Sequence, residues 1–126
     1  MQKEKKMKSY TDLEQSKKLE EILPVETADM HYHYNFDFDE LESIPTITEE
    51  DDHFVLFPED VRCWSLAALL SVLELPTLEK DNIGEGKTGW MVSIYPASCR
   101  YDSDWYDNPI DACYEMILKL NELKML

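Results

Sequence analysis

Two histidines, His31 and His33, form the pattern in this sequence that points most directly to metal chemistry. In a β-strand, residues two positions apart lie on the same face, so two imidazole groups at this spacing can bind one divalent ion. Asp37 falls on the same face of the predicted strand, and this carboxylate, or His53, can complete the ligand set. The pattern predicts a metal site formed by His31, His33 and Asp37, with the polar exterior of a strand as the alternative.

A second group of polar and aromatic residues lies in the segment 101–107, YDSDWYD. Asp102 and Asp104 have the Asp-x-Asp spacing of a cation site, but an EF-hand loop counted from Asp102 has the wrong residues at its fifth, sixth and twelfth positions. Carboxylates beside Trp105 and Tyr106 instead predict a protein-binding surface, because aromatic side chains anchor interfaces and charges provide selectivity. The alternative is a loop whose two rings pack beneath the last helix.

The six residues GEGKTG at positions 84–89 superficially resemble a phosphate-binding loop. A P-loop requires a glycine where this sequence has Asp81, and it lies between a buried strand and a helix. The segment here precedes a predicted strand, and it is therefore predicted to be a turn. No G-x-S-x-G motif and no cysteine in an activating context occurs, so the sequence predicts neither a catalytic residue nor a cofactor.

The charge of the chain is strongly negative and unevenly distributed. Of the 126 residues, 27 are acidic and 12 are basic, which gives a formal net charge of −15. The stretch between Lys18 and Arg62 contains 14 acidic residues and no lysine or arginine. Such a surface repels phosphate groups and anionic lipids, so direct binding to nucleic acid or to a membrane is disfavoured. A basic protein partner is compatible with this charge. The alternative is that the charge only keeps the protein in solution. The acidic residues predicted to contact a partner are Glu49, Glu50, Asp51 and Asp52.

Cysteine content and hydropathy indicate the compartment. Cys63, Cys99 and Cys113 are widely spaced, their number is odd and no C-x-x-C pair occurs, which fits a reducing cytoplasm better than a disulfide framework. The sequence contains no run of 18 apolar residues, so no membrane span is predicted. The basic start MQKEKKMK does not lead into the apolar segment of a signal peptide. The expected location is cytoplasmic.

A small single domain of helices and strands is expected to position these residues. Residues 1–9 are mainly Lys, Glu and Gln and are predicted to be a disordered basic tail. Residues 10–126 are predicted to form one acidic α+β domain, in which a small antiparallel sheet of three or four strands packs against two or three helices. Apolar periodicity predicts helices over 11–23, 62–75 and 109–123, strands over 30–38, 53–57 and 90–95, and a turn-rich loop over 81–89.

The first strand and the last helix have the clearest patterns. In the strand, aromatic residues alternate with polar ones from Tyr32 to Phe38, which predicts one buried aromatic face. The last helix has Asn108 as a preferred N-cap and Pro109 at its first position. The residues predicted to form one contiguous core are Trp64, Leu66, Leu70, Trp90, Val92, Ile94, Ile110, Cys113, Ile117 and Leu120.

Three segments of the C-terminal half carry a resemblance to known sequences: CWSLAALLSVLELP, GWMVSIYP and DNPIDACYEMILKLNEL. Over about residues 58–126 the chain resembles small hypothetical proteins of phages and of integrated mobile elements in gut anaerobes. The shared features are packing residues: a tryptophan-led apolar helix, a central strand and a C-terminal helix that begins with Asn-Pro. The resemblance implies an accessory protein of a mobile element, and it implies no activity that can be assigned residue by residue.

The sequence supports three functional hypotheses. The leading one is a non-enzymatic, cytoplasmic protein of a mobile element that binds another protein. The second is an acidic mimic of nucleic acid that inhibits a basic DNA- or RNA-binding protein. The third is a small metal-dependent enzyme that uses His31 and His33. A mimic needs rows of carboxylates on one surface, and an enzyme needs a concave site around its metal ligands.

Overall fold

The computed structural model describes residues 7–48 and 57–126. The helices in these ranges are α1 (Leu13–Glu20), α2 (Leu66–Val72) and α3 (Pro109–Glu122), with single 3-10 turns at Val25–Thr27 and Pro96–Ser98. The strands are β1 (Met30–Tyr32), β2 (Tyr34–Asn35), β3 (Glu40–Leu41), β4 (Thr46–Ile47), β5 (Val61–Cys63), β6 (Thr77–Gly84), β7 (Lys87–Ile94) and β8 (Tyr101–Asp102). None of these helices is long and apolar enough to cross a lipid bilayer.

The strands form three small antiparallel sheets. Strand β1 lies between β4 and β5 in the first sheet, β2 and β3 form a separate hairpin, and β7 lies between β6 and β8 in the third sheet. The predicted α+β class is confirmed. In the described residues its strands are divided over three sheets of three, two and three strands. The strand predicted over 53–57 lies outside the described residues except for Phe57, which is not in a strand.

The long hairpin of β6 and β7 contains the segment that the sequence predicts as a loop. Asp81 pairs with Gly89, so both strands continue to the tight turn. Gly84, Glu85 and Gly86 have φ angles of 111°, 52° and 73°, a conformation that the two glycines adopt at little cost. GEGKTG therefore contains a turn as predicted, but the loop prediction is wrong for the flanking residues. Nearly all side chains of β6 are exposed, so no apolar alternation marks this strand in the sequence.

The apolar run over 62–75 is divided between a strand and a helix. Its first residues lie in β5 and pair with β1. Helix α2 begins after Ser65, whose hydroxyl accepts a 3.2 Å hydrogen bond from the Ala68 amide. The Ser65 amide donates a 2.9 Å hydrogen bond to the Asp29 carboxylate. The predicted helix is wrong at its N-terminal end because strand pairing and a serine cap interrupt the apolar run.

The strand predicted over 30–38 ends at Tyr32, and the following residues form the hairpin of β2 and β3. The Asn35 side chain accepts a 2.9 Å hydrogen bond from the Asp37 amide. Asp39 has a φ angle of 53°. Both features are typical of turns, in which asparagine and aspartate replace strand hydrogen bonds with local ones. The prediction of one continuous aromatic face is therefore wrong beyond Tyr32.

The main core lies between α2, α3 and the third sheet. Leu66 and Leu70 are partly buried and pack against it, and Trp90 is half-buried and outside it. Leu69, which the prediction omitted, has no exposed surface. The predicted core is thus confirmed in most of its members. The predicted residues that are buried in this one cluster are Trp64, Val92, Ile94, Ile110, Cys113, Ile117 and Leu120.

Thr11, which is fully buried, attaches the N-terminal segment (residues 7–12, before α1) to the rest of the domain. Its amide donates a 2.9 Å hydrogen bond to the Trp64 carbonyl, and the Trp64 amide donates a 3.1 Å bond to the Thr11 hydroxyl. The Tyr32 hydroxyl donates a 2.8 Å hydrogen bond to the Thr11 carbonyl. Burial raises the pKa of Tyr32, so this hydroxyl remains a donor over the physiological pH range. One threonine therefore connects the segment to β1 and to the residue after β5.

A second anchor joins the N-terminal segment to α3 through Asp111. Asp111 Oδ1 accepts hydrogen bonds of 2.9 Å from Lys8 Nζ and 2.8 Å from Gln15 Nε2. Asp111 Oδ2 accepts a 2.9 Å bond from Asn108, which also caps α3 as predicted. Lys8 belongs to the tail predicted to be disordered, of which residues 1–6 lie outside the described residues.

Candidate functional site

Strand β1 and the residue after it bring His31 and His33 to one face of the first sheet, because residues two positions apart in an extended segment share a face. Strand β5 runs antiparallel to β1, with Tyr32 opposite Val61. The next pair in this register is His33 and Asp60. Strand pairing therefore places a carboxylate beside the second histidine.

His31, His33 and Asp60 form a compact group of ligand-type atoms. One ring nitrogen of each histidine and one carboxylate oxygen all lie within 4.8 Å of one another. His33 Nδ1 is 3.3 Å from Asp60 Oδ1. The Asp60 side chain is only 2 % exposed, whereas both histidines are partly exposed. The group is open to solvent on the histidine side and closed behind the carboxylate.

Hydrogen bonds hold these side chains in orientation. Asp60 Oδ1 accepts a 2.8 Å bond from the Tyr34 amide, and Asp60 Oδ2 accepts a 3.2 Å bond from the Phe57 amide. His31 Nδ1 lies 2.7 Å from the Thr48 hydroxyl oxygen. Outer hydrogen bonds of this type fix the orientation of metal ligands and the tautomer of histidines.

Asp37, the carboxylate that the sequence places with the histidines, lies elsewhere. It is exposed in the turn between β2 and β3, where its amide bonds to the Asn35 side chain. The extended segment that would have carried all three residues on one face ends before this turn. The structure brings His31 and His33 together and adds Asp60 as the third member of the group.

Three aromatic rings form a row of contacts that begins beside His33. The Phe57 ring centroid is 6.1 Å from that of His33 and 5.5 Å from that of Phe36, and the Phe36 and Tyr34 centroids are 5.0 Å apart. Tyr34, Phe36 and Phe57 are referred to below as the aromatic cluster. Edge-to-face contacts orient the rings, but Phe36 and Phe57 remain 58 % and 51 % exposed. The cluster is thus an ordered apolar surface in contact with water.

Carboxylates flank the aromatic cluster. The Tyr34 hydroxyl donates a hydrogen bond to Asp39, which raises the pKa of Tyr34, and the nearby charge of Glu59 acts in the same direction. Asp37, Asp39 and Glu59 are all exposed. The chain has no lysine or arginine between positions 18 and 62, so this stretch supplies no cation to neutralise them. The surface combines exposed rings with negative charge.

The aromatic residues predicted to bind a partner after β8 are divided between surface and interior. Trp105 is exposed and its Cβ lies close to Gly89, and Asp104 is also exposed. Tyr106 is half-buried, packs against the main core and exchanges backbone hydrogen bonds of 2.7 and 2.8 Å with Trp90. Trp105 therefore lies on the surface, whereas the half-buried Tyr106 packs against the core, as the alternative predicts for both rings.

Asp102 is engaged within the third sheet. Its Oδ1 accepts hydrogen bonds of 2.7 Å from both Arg100 Nε and the Ser93 hydroxyl. Both bonds lower the pKa of Asp102, and the Arg100 guanidinium partly neutralises its charge. Four further acidic residues predicted to contact a partner lie outside the described residues, namely Glu49, Glu50, Asp51 and Asp52.

Burial makes two of the three cysteines poor nucleophiles. Cys63 and Cys113 are buried, Cys99 is exposed, and all three are free thiols. Burial raises the pKa of Cys113 to about 12 and also raises the pKa of Cys63. Both buried thiols therefore remain protonated near neutral pH, and only a thiolate is a good nucleophile.

Sequence reasoning missed Asp60 and the exposed position of Phe36. No sequence spacing relates Asp60 to the histidines, because their proximity depends on the pairing of β1 with β5. The exposure of Phe36 had a local signal: Asn35, Asp37 and Asp39 are turn-forming residues placed within an apparently continuous strand.

Comparison of the chain with protein-family models, with curated proteins and with solved structures found no match. Function is therefore inferred from the geometry and charge of the described residues. Two features are informative: the aromatic cluster with its carboxylates, and the group formed by His31, His33 and Asp60.

Proposed function

We propose that this chain is a non-enzymatic, cytoplasmic protein that binds a basic segment of another protein through the aromatic cluster. The observation that carries the proposal is the exposure of Phe36 and Phe57 as touching rings between carboxylates. Rings in this position lose contact with water only when a second molecule covers them. Their burial is the main source of binding free energy in the proposed complex.

The exposed rings of Phe36 and Phe57 contact each other. Scattered exposed apolar residues are normal on protein surfaces, whereas a group whose rings touch is typical of an interaction site. Aromatic residues are also enriched among the side chains that contribute most to binding. Of the twelve large apolar side chains that are exposed in the described ranges, Phe36 and Phe57 form a pair of rings in contact, with centroids 5.5 Å apart.

Charge defines the chemistry of the partner. Asp39 and Glu59 lie beside the cluster, and the whole chain carries a formal net charge of −15. Such a field attracts lysine and arginine side chains, raises the rate of association and excludes acidic competitors. The matching partner is a protein segment with at least one large apolar side chain among basic residues.

The cysteines support the cytoplasmic location in this proposal. The three cysteines are free thiols, which fits a reducing compartment such as the cytoplasm. The proposal also includes the accessory role in a mobile element that the sequence resemblance over about residues 58–126 implies, with a partner that belongs to the element or its host.

Fluorescence anisotropy with short labelled peptides, in buffer that contains EDTA, tests the proposal. One peptide alternates lysine with leucine, a second has serine in place of leucine, and a third has glutamate in place of lysine. We expect the lysine–leucine peptide to bind and the other two to bind far more weakly. Binding should weaken as NaCl is raised from about 50 to about 500 mM, because salt screens exposed charges.

Variants locate the binding surface. The double variant Phe36→Ser/Phe57→Ser should weaken binding of the lysine–leucine peptide by about 30-fold or more, since one anchoring side chain contributes about 2 kcal/mol. Leu75→Ser is the matched control, because Leu75 is an exposed apolar residue in the loop between α2 and β6 (74 % exposed). Unchanged binding by the double variant would contradict the proposal. The acidic run predicted from the sequence is tested in the same assay by replacing four residues with lysine, namely Glu49, Glu50, Asp51 and Asp52.

The same peptides test the nucleic-acid-mimic hypothesis. A mimic recognises its partner through carboxylates alone, so it should bind the lysine–serine peptide as well as the lysine–leucine peptide. Equal binding of these two peptides, with no effect of the phenylalanine substitutions, would favour the mimic over the proposed function.

A further inference from the structure

We infer that His31, His33 and Asp60 bind one divalent transition-metal ion, and the ligand set matches Zn²⁺. Two imidazoles and one carboxylate are ligands that zinc takes in sites with an open fourth position. Mg²⁺ and Ca²⁺ prefer oxygen ligands throughout, so two nitrogens disfavour them. The inference goes beyond the proposed peptide binding and does not depend on it.

The distances in the group are close to those of an occupied site. Bonds of about 2.0–2.2 Å in a tetrahedral arrangement place ligand atoms about 3.4 Å apart. His33 Nδ1 and Asp60 Oδ1 already lie 3.3 Å apart. All three ligand atoms lie within 4.8 Å of one another. Small side-chain rotations that move the more distant atoms inward by roughly 1 Å therefore give the bound geometry.

The outer shell of a metal site is also present. The buried Asp60 carboxylate is held by the Tyr34 and Phe57 amides, and each of its oxygens has further lone pairs that can bind an ion. The Thr48 hydroxyl lies beside His31 Nδ1, as an outer partner of a metal-binding histidine does. These contacts limit the conformational entropy that ion binding would otherwise cost.

An ion at this position joins segments that are distant in sequence. His33 lies at the start of the hairpin, and Asp60 immediately precedes β5. Phe57 contacts the group twice, since its amide bonds to Asp60 and its ring packs on His33. The ion therefore links the hairpin to β5 and stabilises the native arrangement of the first sheet.

Thermal unfolding of the Cys99→Ser chain with and without ZnCl₂ tests the inference, because a ligand that binds only the native state raises Tm by mass action. The Cys99→Ser background removes an exposed thiol that can itself bind zinc. At a free ion concentration of about 100 Kd, we expect Tm to rise by roughly 10 °C. The rise should be lost in His31→Ala and in His33→Ala. It should persist in Asp37→Asn, the matched control for the carboxylate that lies away from the histidines.

Calorimetric titration of the same chain measures the stoichiometry, for which we expect one ion per chain. Circular dichroism without metal verifies that each histidine variant is folded. The inference is overturned if Zn²⁺, Ni²⁺ and Co²⁺ all leave Tm unchanged, if the shift survives in both histidine variants, or if Asp37→Asn abolishes it. Because the peptide assay contains EDTA, failure of the metal site leaves the proposed peptide binding untouched, and the two failures are distinguishable.

Discussion

Replacement of Asp111 by asparagine should weaken the attachment of the N-terminal segment to α3. The carboxylate accepts hydrogen bonds from Lys8, Gln15 and Asn108. Burial alone would raise the pKa of Asp111, but these bonds outweigh burial and hold the pKa below its ordinary value of 3.8. Asparagine keeps the shape of the side chain, removes its charge and presents an amide NH₂ group to donors.

The contacts of Asp111 determine how much stability the Asp111→Asn substitution should remove. A hydrogen bond to a charged group contributes about 1.5–3 kcal/mol. The Asp111 and Lys8 side chains are 30 % and 27 % exposed, so solvent screening reduces this contribution. We expect Asp111→Asn to lower the free energy of unfolding by about 1–2 kcal/mol at neutral pH. In a domain of this length the corresponding fall in Tm is about 4–8 °C.

The pH dependence separates the charge of Asp111 from a packing defect. The pKa of Asp111 is lower in the folded than in the unfolded state, so its stabilisation is fully present above the unfolded pKa and is lost as the pH falls through the folded pKa. The difference between wild type and Asp111→Asn should therefore shrink as the pH is lowered from about 5 to about 2. Urea unfolding at a series of pH values measures this difference in the free energy of unfolding. Asp104→Asn is the control for an exposed carboxylate. A difference that is equally large at both ends of this range would refute the assigned role of the charge.

Ile117→Ala should lower the free energy of unfolding by about 2–5 kcal/mol because Ile117 is fully buried, whereas Leu70→Ala should cost less because Leu70 is only partly buried. Urea unfolding compares the two variants, and equal losses would contradict the described core. Ellman's reagent should label Cys99 rapidly in the native protein, whereas Cys63 and Cys113 should react only after unfolding, because burial raises their pKa values. Rapid native labelling of a second thiol would show that one of the buried cysteines is accessible.

Elements with agreeing local signals could be predicted from the sequence. Helix α3 is the clearest example, since Asn108 caps it, Pro109 occupies its first position and apolar residues recur at helical spacing. Strand β6 lacks such signals because its side chains are exposed and its pairing with β7 provides the stability. The helix predicted over 62–75 had a consistent apolar pattern, but strand pairing with β1 overrides helix propensity in its first residues.

The candidate sites were predictable to different degrees. The spacing of His31 and His33 is a local property of one extended segment, and the structure places both side chains on one face as predicted. The contribution of Asp60 depends on the register between two strands, and no spacing in a single sequence reveals it. Phe36 follows the alternation of a buried strand, but the neighbouring asparagine and aspartates favour a turn, and the turn determines its exposure.

The attachment of the N-terminal segment has a consequence for folding during synthesis. Thr11 bonds to Trp64, and Lys8 bonds to Asp111, which follows 103 positions later. At about 5–20 residues per second, a ribosome adds these intervening residues over roughly 5–20 s. Throughout that interval Lys8 lacks its partner on α3, whereas the partners of Thr11, namely Tyr32 and Trp64, are synthesised earlier. The acidic residues that emerge meanwhile repel one another and oppose premature collapse of the growing chain. The domain is therefore expected to complete its fold in one late step, after α3 has left the ribosome.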